Sequence, residues 1–267
     1  MRRYYFFLWI SVLFFQDVNA QSGLVARMGR DVEHFAQTGV ALLRAPFHFD
    51  RDDWRYTAAS AGITALLFTA DRYMREQFQS LDRHAYDKAF FIDDYYGNYY
   101  TLALGAGIYG YGLLGGNGKI RRTGLLAMEA FLFSGATTGI LKILIGRRRP
   151  FAGDSQLFFK PPAFTDDLYQ SLPSGHTTVS FAVSTVLAQA VDNGLWKTFW
   201  YGGALWVASA RMYHNKHWFS DVLLGAAIGY AVGRFVVSQD HRQRLASSRL
   251  MPYWAYDSAG IQWKVSF

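Results

Sequence analysis

The feature that most limits this chain's fold is a succession of apolar segments of helical length, with almost no strand-type alternation between them. They fall at 56–70, 98–116, 123–141, 177–191, 198–210 and 219–237. Strict period-two alternation marks half-buried strands, and here it is nearly absent until the last residues. Glycine and alanine recur within the runs, as at Ala103 to Gly107 and at Gly225-Ala226-Ala227. Small residues let helices approach closely, as they do in membrane bundles. The expectation is an all-α fold: a six-helix bundle, embedded in a membrane.

Segment length leaves a second architecture open. A transmembrane helix needs roughly 20 apolar residues. The runs at 98–116 and 219–237 come closest, whereas 56–70 and 198–210 are short. A mean hydropathy of +0.01 is low for a multi-span protein. A helical domain soluble in the periplasm therefore stands beside the membrane-embedded reading. Charged residues make up 18% of the chain, below the usual value of about 25%. The net charge of +7 is carried at the ends of apolar runs. That placement favours a membrane surface and anionic substrates over nucleic acid. With no cysteine among 267 residues, disulfides, thiol catalysis and thiolate metal sites are excluded.

The N-terminus has the three parts of an export signal. Arg2 and Arg3 are followed by the apolar run Tyr4 to Phe15, then by Val18-Asn19-Ala20 with small residues where a signal peptidase reads. The apolar run is short for an uncleaved anchor. The expected division is a signal peptide at 1–20, an extension at 21–55, a helical catalytic domain at 56–240 and a tail at 241–267. Asp31 to Leu43 fits a short amphipathic helix. Asp50-Arg51-Asp52-Asp53 marks a surface boundary.

Three clusters collect anion-binding and proton-transfer groups near helix ends. The first runs from Lys142 to Pro150. Lys142 and Arg149 lie seven positions apart, about two helical turns, so one helix would present both from the same face. Pro150 puts Arg149 at the helix exit. The cluster is also what a positive flank of a membrane helix looks like. The second is Pro173-Ser174-Gly175-His176, directly before the run at 177–191. Serine can cap that helix, its free N–H groups bind phosphate, and histidine can transfer a proton near neutral pH. An ordinary capped helix with an incidental histidine is the plainer reading. The third runs from Arg211 to Asp221, with His217 four residues before Asp221. On a helix the carboxylate could hold one imidazole nitrogen and leave the other free to attack. Arg211 adds a cation for phosphoryl oxygens. A solvated loop with a capping aspartate is the alternative. His214 and His217 could ligate a metal together, but carboxylates near them are scarce.

Taken together, the clusters resemble the type 2 phosphatidic-acid phosphatase superfamily, whose signature is K-x6-R-P, P-S-G-H and S-R-x5-H-x3-D. Lys142 to Pro150 and Pro173 to His176 match in full, and Arg211, His217 and Asp221 match at the right intervals. Ala210 stands where the family usually has serine, and Ser209 lies one position earlier. The resemblance implies that His217 attacks phosphorus and forms a phosphohistidine, that Asp221 orients it, and that His176 protonates the leaving oxygen and then activates water. It implies that Lys142, Arg149, Ser174, Gly175 and Arg211 hold the phosphoryl oxygens, with no metal and no cofactor. Charge stabilisation of this kind is what phosphoryl transfer needs from a protein.

The activity expected from that resemblance is hydrolysis of a lipid phosphate or isoprenoid diphosphate. A soluble broad-specificity acid phosphatase and a vanadium-dependent haloperoxidase are the alternatives within the same superfamily. Lys119, Arg121 and Arg122, and later Arg234, Arg242, Arg244 and Arg249, lie at the ends of apolar runs away from the clusters. Positive loops stay in the cytoplasm, so the clusters face the periplasm from the inner membrane. A cleaved signal is consistent with that orientation only if 56–70 does not fully cross. The tail residues Tyr253, Trp254, Tyr256, Ile261, Trp263, Val265 and Phe267 suggest a short strand or an interfacial aromatic anchor.

Overall fold

Apolar periodicity becomes helix in all six expected places, and side-chain caps mark where four of these helices begin. A computed structural model describes residues 4–153, 155–247, 249–255 and 258–264, with side chains described for 23–153 and 155–245. The chain divides into two units, Met1–Arg44 and Ala45–Phe267. The first consists of one helix, α1 (Tyr4–Arg44), which contains the stretch expected to be amphipathic. It runs unbroken through the expected cleavage point after Ala20. Arg2 and Arg3 lie outside the described residues, as do the side chains of the rest of the expected signal.

The second unit holds α2 (Arg51–Leu67), α3 (Asp71–Gln79), α4 (Arg83–Tyr86), α5 (Tyr99–Leu114), α6 (Gly118–Ile145), α7 (Gly175–Ala190), α8 (Gly194–Tyr213) and α9 (Phe219–Ser247). The all-α class holds, with nine α-helices among the described residues rather than six. The six apolar runs are α2 and α5 to α9. The short helices α3 and α4 are too polar to carry an apolar signal. A C-terminal hairpin of β1 (Arg249–Ala255) and β2 (Ser258–Lys264) pairs antiparallel from Arg249↔Lys264 to Ala255↔Ser258. Of the tail residues singled out above, Tyr256, Val265 and Phe267 lie outside the described residues.

The polar run at Asp50 is the capping box of α2: Asp50 accepts from the Asp53 amide at 2.8 Å, and the Asp53 carboxylate accepts from the Asp50 amide at 3.2 Å. Asn98, Asn117 and Asn193 cap α5, α6 and α8, each side chain accepting one backbone N–H. Ser174 occupies the cap position of α7 but makes no side-chain capping bond. α6 stops at Gly146, whose φ of 62° is the left-handed conformation that glycine adopts without strain.

The core forms where α6, α7, α8 and α9 meet, around Leu126, Ala130, Val183, Val186, Val207 and Val236. Tyr96 enters it from the loop before α5 and shares a hydrogen bond with Ser184 at 2.6 Å. Helix α9 approaches α7 along Gly225, Gly229 and Gly233. A Cβ at these positions would lie 2.8 Å from Ser174 O, 2.2 Å from Thr178 O and 2.6 Å from Ala182 O. Backbone-to-backbone packing of this kind fixes α7 against α9, and with it the second cluster against the third.

Among the described residues, two helices, α6 and α9, are long and apolar enough to cross a membrane. In each, 44% of the apolar window is buried within the protein. The run at 98–116, expected to be among the best spans, forms a helix of only 16 residues. At 1.5 Å per residue it reaches about 24 Å, short of a hydrocarbon core of about 30 Å. Gly229→Val should lower thermal stability by about 1–3 kcal/mol through overpacking. Gly203→Ala, where nothing lies within 4 Å of the added Cβ, should be close to neutral. Thermal unfolding of the two variants in detergent checks the difference.

Candidate active site

Because α6 ends at Gly146, the two cations of the first cluster do not share a helical face, contrary to the spacing argument. Lys142 remains on the last turn of α6, while Arg149 sits on an extended segment at φ −72° and ψ 150°. That segment is held by its backbone: Lys160 N donates to Gly146 O at 2.7 Å, Arg148 N to Phe158 O at 2.9 Å and Arg149 N to Leu168 O at 2.8 Å. The loop from 151 to 172 thus folds back along the cluster and carries its own carbonyls into the site. Lys142 Nζ donates to the carbonyls of Gln170 and, at 3.5 Å, Ser171. Arg149 donates to the Asp167 carboxylate at 2.7 Å and to Lys216 O at 3.2 Å. Its Nη1 lies 3.3 Å from His217 Nε2.

His217 also differs from the helical expectation. Helix α9 begins at Phe219, so His217 precedes it. Its Nδ1 lies 2.8 Å from the Ser171 carbonyl but 3.8 Å from Asp221 Oδ2. The carbonyl, not the aspartate, is the direct partner. A carbonyl can only accept, so Nδ1 carries the proton and Nε2 presents its lone pair. Asp221 acts one step away. Its Oδ2 accepts from the Ser171 hydroxyl and, at 2.9 Å, from the Trp218 amide. It thereby grips the residues on either side of the imidazole. Trp218, 1% exposed, donates its indole N–H to Arg148 O at 2.9 Å and fixes the turn that carries His217.

The second cluster is tied to the third through the backbone: Ser174 N donates to Asp221 O at 3.0 Å. The Ser174 hydroxyl accepts from Thr177 at 3.0 Å. Gly175 borders the cation cluster, since a Cβ there would lie 3.7 Å from Lys142 Cε. His176 packs its backbone against Gly97, where φ is +90° and a Cβ would come within 2.6 Å of His176 O. Arg211 donates to Asp93 at 2.6 Å, and Asp93 also lies 3.1 Å from His214 Nδ1. His214 and His217 are thus committed to different partners. Among the described residues, no group of three or more His, Asp or Glu side chains gathers to hold a metal ion. Ser209 does not replace the missing serine: its hydroxyl bonds Leu205 O on its own helix at 3.0 Å, and Ala210 is fully buried.

Electrostatics follow from this crowding of cations. Burial, then Lys142, Arg149, Arg211 and His176, hold the His217 imidazole well below the ordinary histidine value. Burial and Arg211 push His176 down to about 4. Burial alone would raise the Asp93 carboxyl, but hydrogen bonds from His214 and Arg211 overcome it and hold it below the usual carboxylate range.

Sequence reasoning missed the residues behind these groups. Arg147, fully buried, donates to Asp221 Oδ1 and Asp71 Oδ2 at 2.6 Å each and to Ser220 Oγ at 2.7 Å. Within the Arg147-Arg148-Arg149 run nothing local separates it from its neighbours. Ser171, from a loop, and Asp93 and Asp167, from single 3-10 turns, likewise reach the site with no motif of their own.

The sequence pattern of the PAP2 superfamily matches residues 123–245. A lipid A 1-phosphatase of Porphyromonas gingivalis is 40% identical over 24% of this chain and 15% of that protein. A PA-phosphatase related-family protein of Dictyostelium discoideum is 30% identical over 48% of this chain and 55% of that protein. The chain therefore spans between 15% and 55% of the length of these two curated relatives. The crystal structure of a transmembrane PAP2 type phosphatidylglycerolphosphate phosphatase from Bacillus subtilis superposes with a TM-score of 0.53 at 20% identity, over 70% of this chain and 94% of that one. This likeness is one of fold.

The tautomer makes a direct prediction. In 15N-histidine spectra, His217 should show a protonated Nδ1 and a bare Nε2. It should stay neutral as pH falls through about 6.5, the ordinary histidine value. A cationic His217 at pH 6.5 would contradict the geometry.

Proposed function

We propose that the chain, whose residues 123–245 match the PAP2 superfamily, is a metal-independent phosphohydrolase acting on a lipid phosphate or isoprenoid diphosphate through a phosphohistidine. The observation that carries this reading is the bare Nε2 of His217 facing Arg149, with burial and the cations Lys142, Arg149 and Arg211 holding the imidazole neutral. Nε2 attacks phosphorus as the bond to the leaving oxygen breaks, and His176 gives that oxygen a proton. Lys142, Arg149, Arg211 and the N–H groups at the start of α7, around Ser174 and Gly175, hold the non-bridging oxygens. In the second step His176 takes a proton from water, the water oxygen attacks phosphorus, and the P–N bond breaks. Inorganic phosphate leaves and His217 is restored.

The greasy part of the substrate is supported by the loop 151–172, which exposes Phe151, Phe158 and Phe164. Arg148 lies 5.5 Å over the Phe158 ring and Lys216 4.9 Å over Phe151, so cations and aromatics are interleaved around the site. That pairing suits an anionic headgroup on an apolar tail. Phosphatidic acid, phosphatidylglycerophosphate, undecaprenyl diphosphate and lipid A are the candidates. We infer an inner-membrane protein with a periplasm-facing site, exported by residues 1–20, with a catalytic domain over 56–240 and a tail over 241–267. Lys119, Arg121 and Arg122 lie at the start of α6, opposite Lys142, and Arg242 and Arg244 at the end of α9, opposite Asp221. This charge arrangement supports the orientation. The shortness of α5 and α7, 16 residues each, favours the second reading, a soluble periplasmic acid phosphatase.

Phosphate release from the four candidate lipids, with membrane partition of the protein, tests the reading. His217→Ala should abolish turnover. His176→Ala should accumulate base-stable, acid-labile phosphoenzyme after a rapid quench. Activity should survive EDTA, because Lys142, Arg149 and Arg211 supply the charge; loss restored by magnesium or zinc would contradict the mechanism. At a fixed headgroup in mixed micelles, kcat/KM should rise tenfold or more with chain length, since each buried methylene contributes about 0.8 kcal/mol. Equal values for short and long chains would favour the soluble phosphatase.

A further inference from the structure

Asp71 opens α3, outside the matched segment 123–245 and outside all three sequence clusters. It is nevertheless fully buried, as are Arg147 and Asp221, the two groups that connect it to the nucleophile. Arg147 Nη2 donates to Asp71 Oδ2 at 2.6 Å, and Arg147 Nη1 to Asp221 Oδ1 at 2.6 Å. Asp71 Oδ1 accepts from Ser220 N at 2.8 Å, and Oδ2 also accepts from Ser220 Oγ at 2.6 Å. Burial raises the Asp71 carboxyl, while Arg147 and Ser220 oppose the rise. Every partner donates to it, which is the environment of a carboxylate rather than an acid.

The charge count decides what this arrangement does. Forming the phosphohistidine while Nδ1 keeps its proton leaves positive charge on the imidazole. Asp221, 3.8 Å from Nδ1, is the nearest carboxylate to that charge. Paired with Arg147 alone, Asp221 would belong to a neutral unit and its field at His217 would largely cancel. A second carboxylate on the same guanidinium leaves the buried set with a net negative charge. Lys142, Arg149, Arg211 and His176 all act on His217 with the opposite sign, and Asp167, the other carboxylate beside this cluster, is paired with Arg149 at 2.7 Å. We propose that Asp71 is a positioning residue for the nucleophile, acting through Arg147 to preserve the negative charge of Asp221 behind His217. The proposal rests on the phosphohistidine reading above.

The experiment compares Asp71→Asn, Asp71→Glu and the double variant Asp71→Asn/Arg147→Gln in detergent. It measures lipid phosphate hydrolysis, the His217 15N titration and thermal unfolding. For Asp71→Asn, kcat should fall about 10- to 100-fold with KM within about twofold, because the lost interaction belongs to the charged intermediate. Its His217 titration should move to lower pH, since the protonated imidazole loses a nearby negative charge. Asp71→Glu should recover part of kcat. The double variant, which frees Asp221 from the guanidinium, should return the titration toward the wild-type position. An unchanged titration in a folded Asp71→Asn overturns the proposal, as does a change confined to melting temperature. Failure of both Asp71→Asn and the double variant to fold assigns Asp71 a purely structural role and also overturns it. Absence of hydrolysis by the wild-type protein on all four lipids would strike at the phosphatase reading instead; the titration, which needs no turnover, still decides the role of Asp71.

Discussion

The arrangement depends first on one buried guanidinium. Arg147 uses all five of its N–H donors: two toward Asp221 and Ser220, one toward Asp71, and two toward Gln156 O. Those acceptors come from the start of α9, the start of α3 and the loop after α6, so a single side chain sets three elements in register. Phe68 lies 4.3 Å from its guanidinium carbon and closes one face. A lysine could not satisfy this set, because its three donors radiate from a point whereas the arginine fork is planar. Removing one member of a buried ionic group leaves the others desolvated and typically costs about 3–5 kcal/mol. Burial of this kind is poor evidence for stability as such, but it is well suited to holding a geometry.

Geometry is what the proposed nucleophile requires. His217 receives its tautomer from the Ser171 carbonyl, and Ser171 is held twice: its amide donates to Arg147 O at 3.0 Å and its hydroxyl to Asp221. Asp221 in turn accepts from Arg147 and from Trp218. A single hydrogen bond to His217 is thus backed by a closed set of buried contacts with little rotational freedom. The glycine ladder of α9 adds the remaining constraint, because Gly225 and Gly229 let α9 lie directly on the backbone of Ser174 and Thr178. The loop before α7 and the turn before α9 are consequently held against each other.

How much of this was legible in the sequence follows from the range of each interaction. Helix periodicity is local, so the six apolar runs and their α-helical character could be read directly. Motif spacing identified which charged groups to bring together, and Lys142, Arg149, His176, Arg211 and His217 do converge. Their backbone setting was misread wherever a local stop intervened: Gly146 ends α6 before Arg149, and α9 starts after His217, so neither pair shares a helix. The partners were not legible. Asp71 lies 76 residues from Arg147 and Asp93 lies 118 from Arg211, and such contacts leave no periodic trace. The polar helix α3 carried no apolar signal to mark it as a core element, although its first residue is among the most deeply buried charges.

The cation cluster imposes a condition on proton supply. Burial and Arg211 hold His176 down to about 4, so at neutral pH its imidazole is a base. A phosphate changes the balance, because its oxygens take up the fields of Lys142, Arg149 and Arg211 that otherwise act on the imidazole. The second ionisation of a phosphomonoester lies near 6, so a monoanionic substrate also brings a proton into the site. On the proposed mechanism, transfer of that proton to His176 creates the acid the leaving oxygen needs. His217 meanwhile stays bare, since its Nδ1 proton is committed to Ser171. On the mechanism proposed above, the cations around the two imidazoles separate them into a nucleophile and a substrate-dependent acid. The distinction is kept by what each ring touches rather than by any difference between the rings.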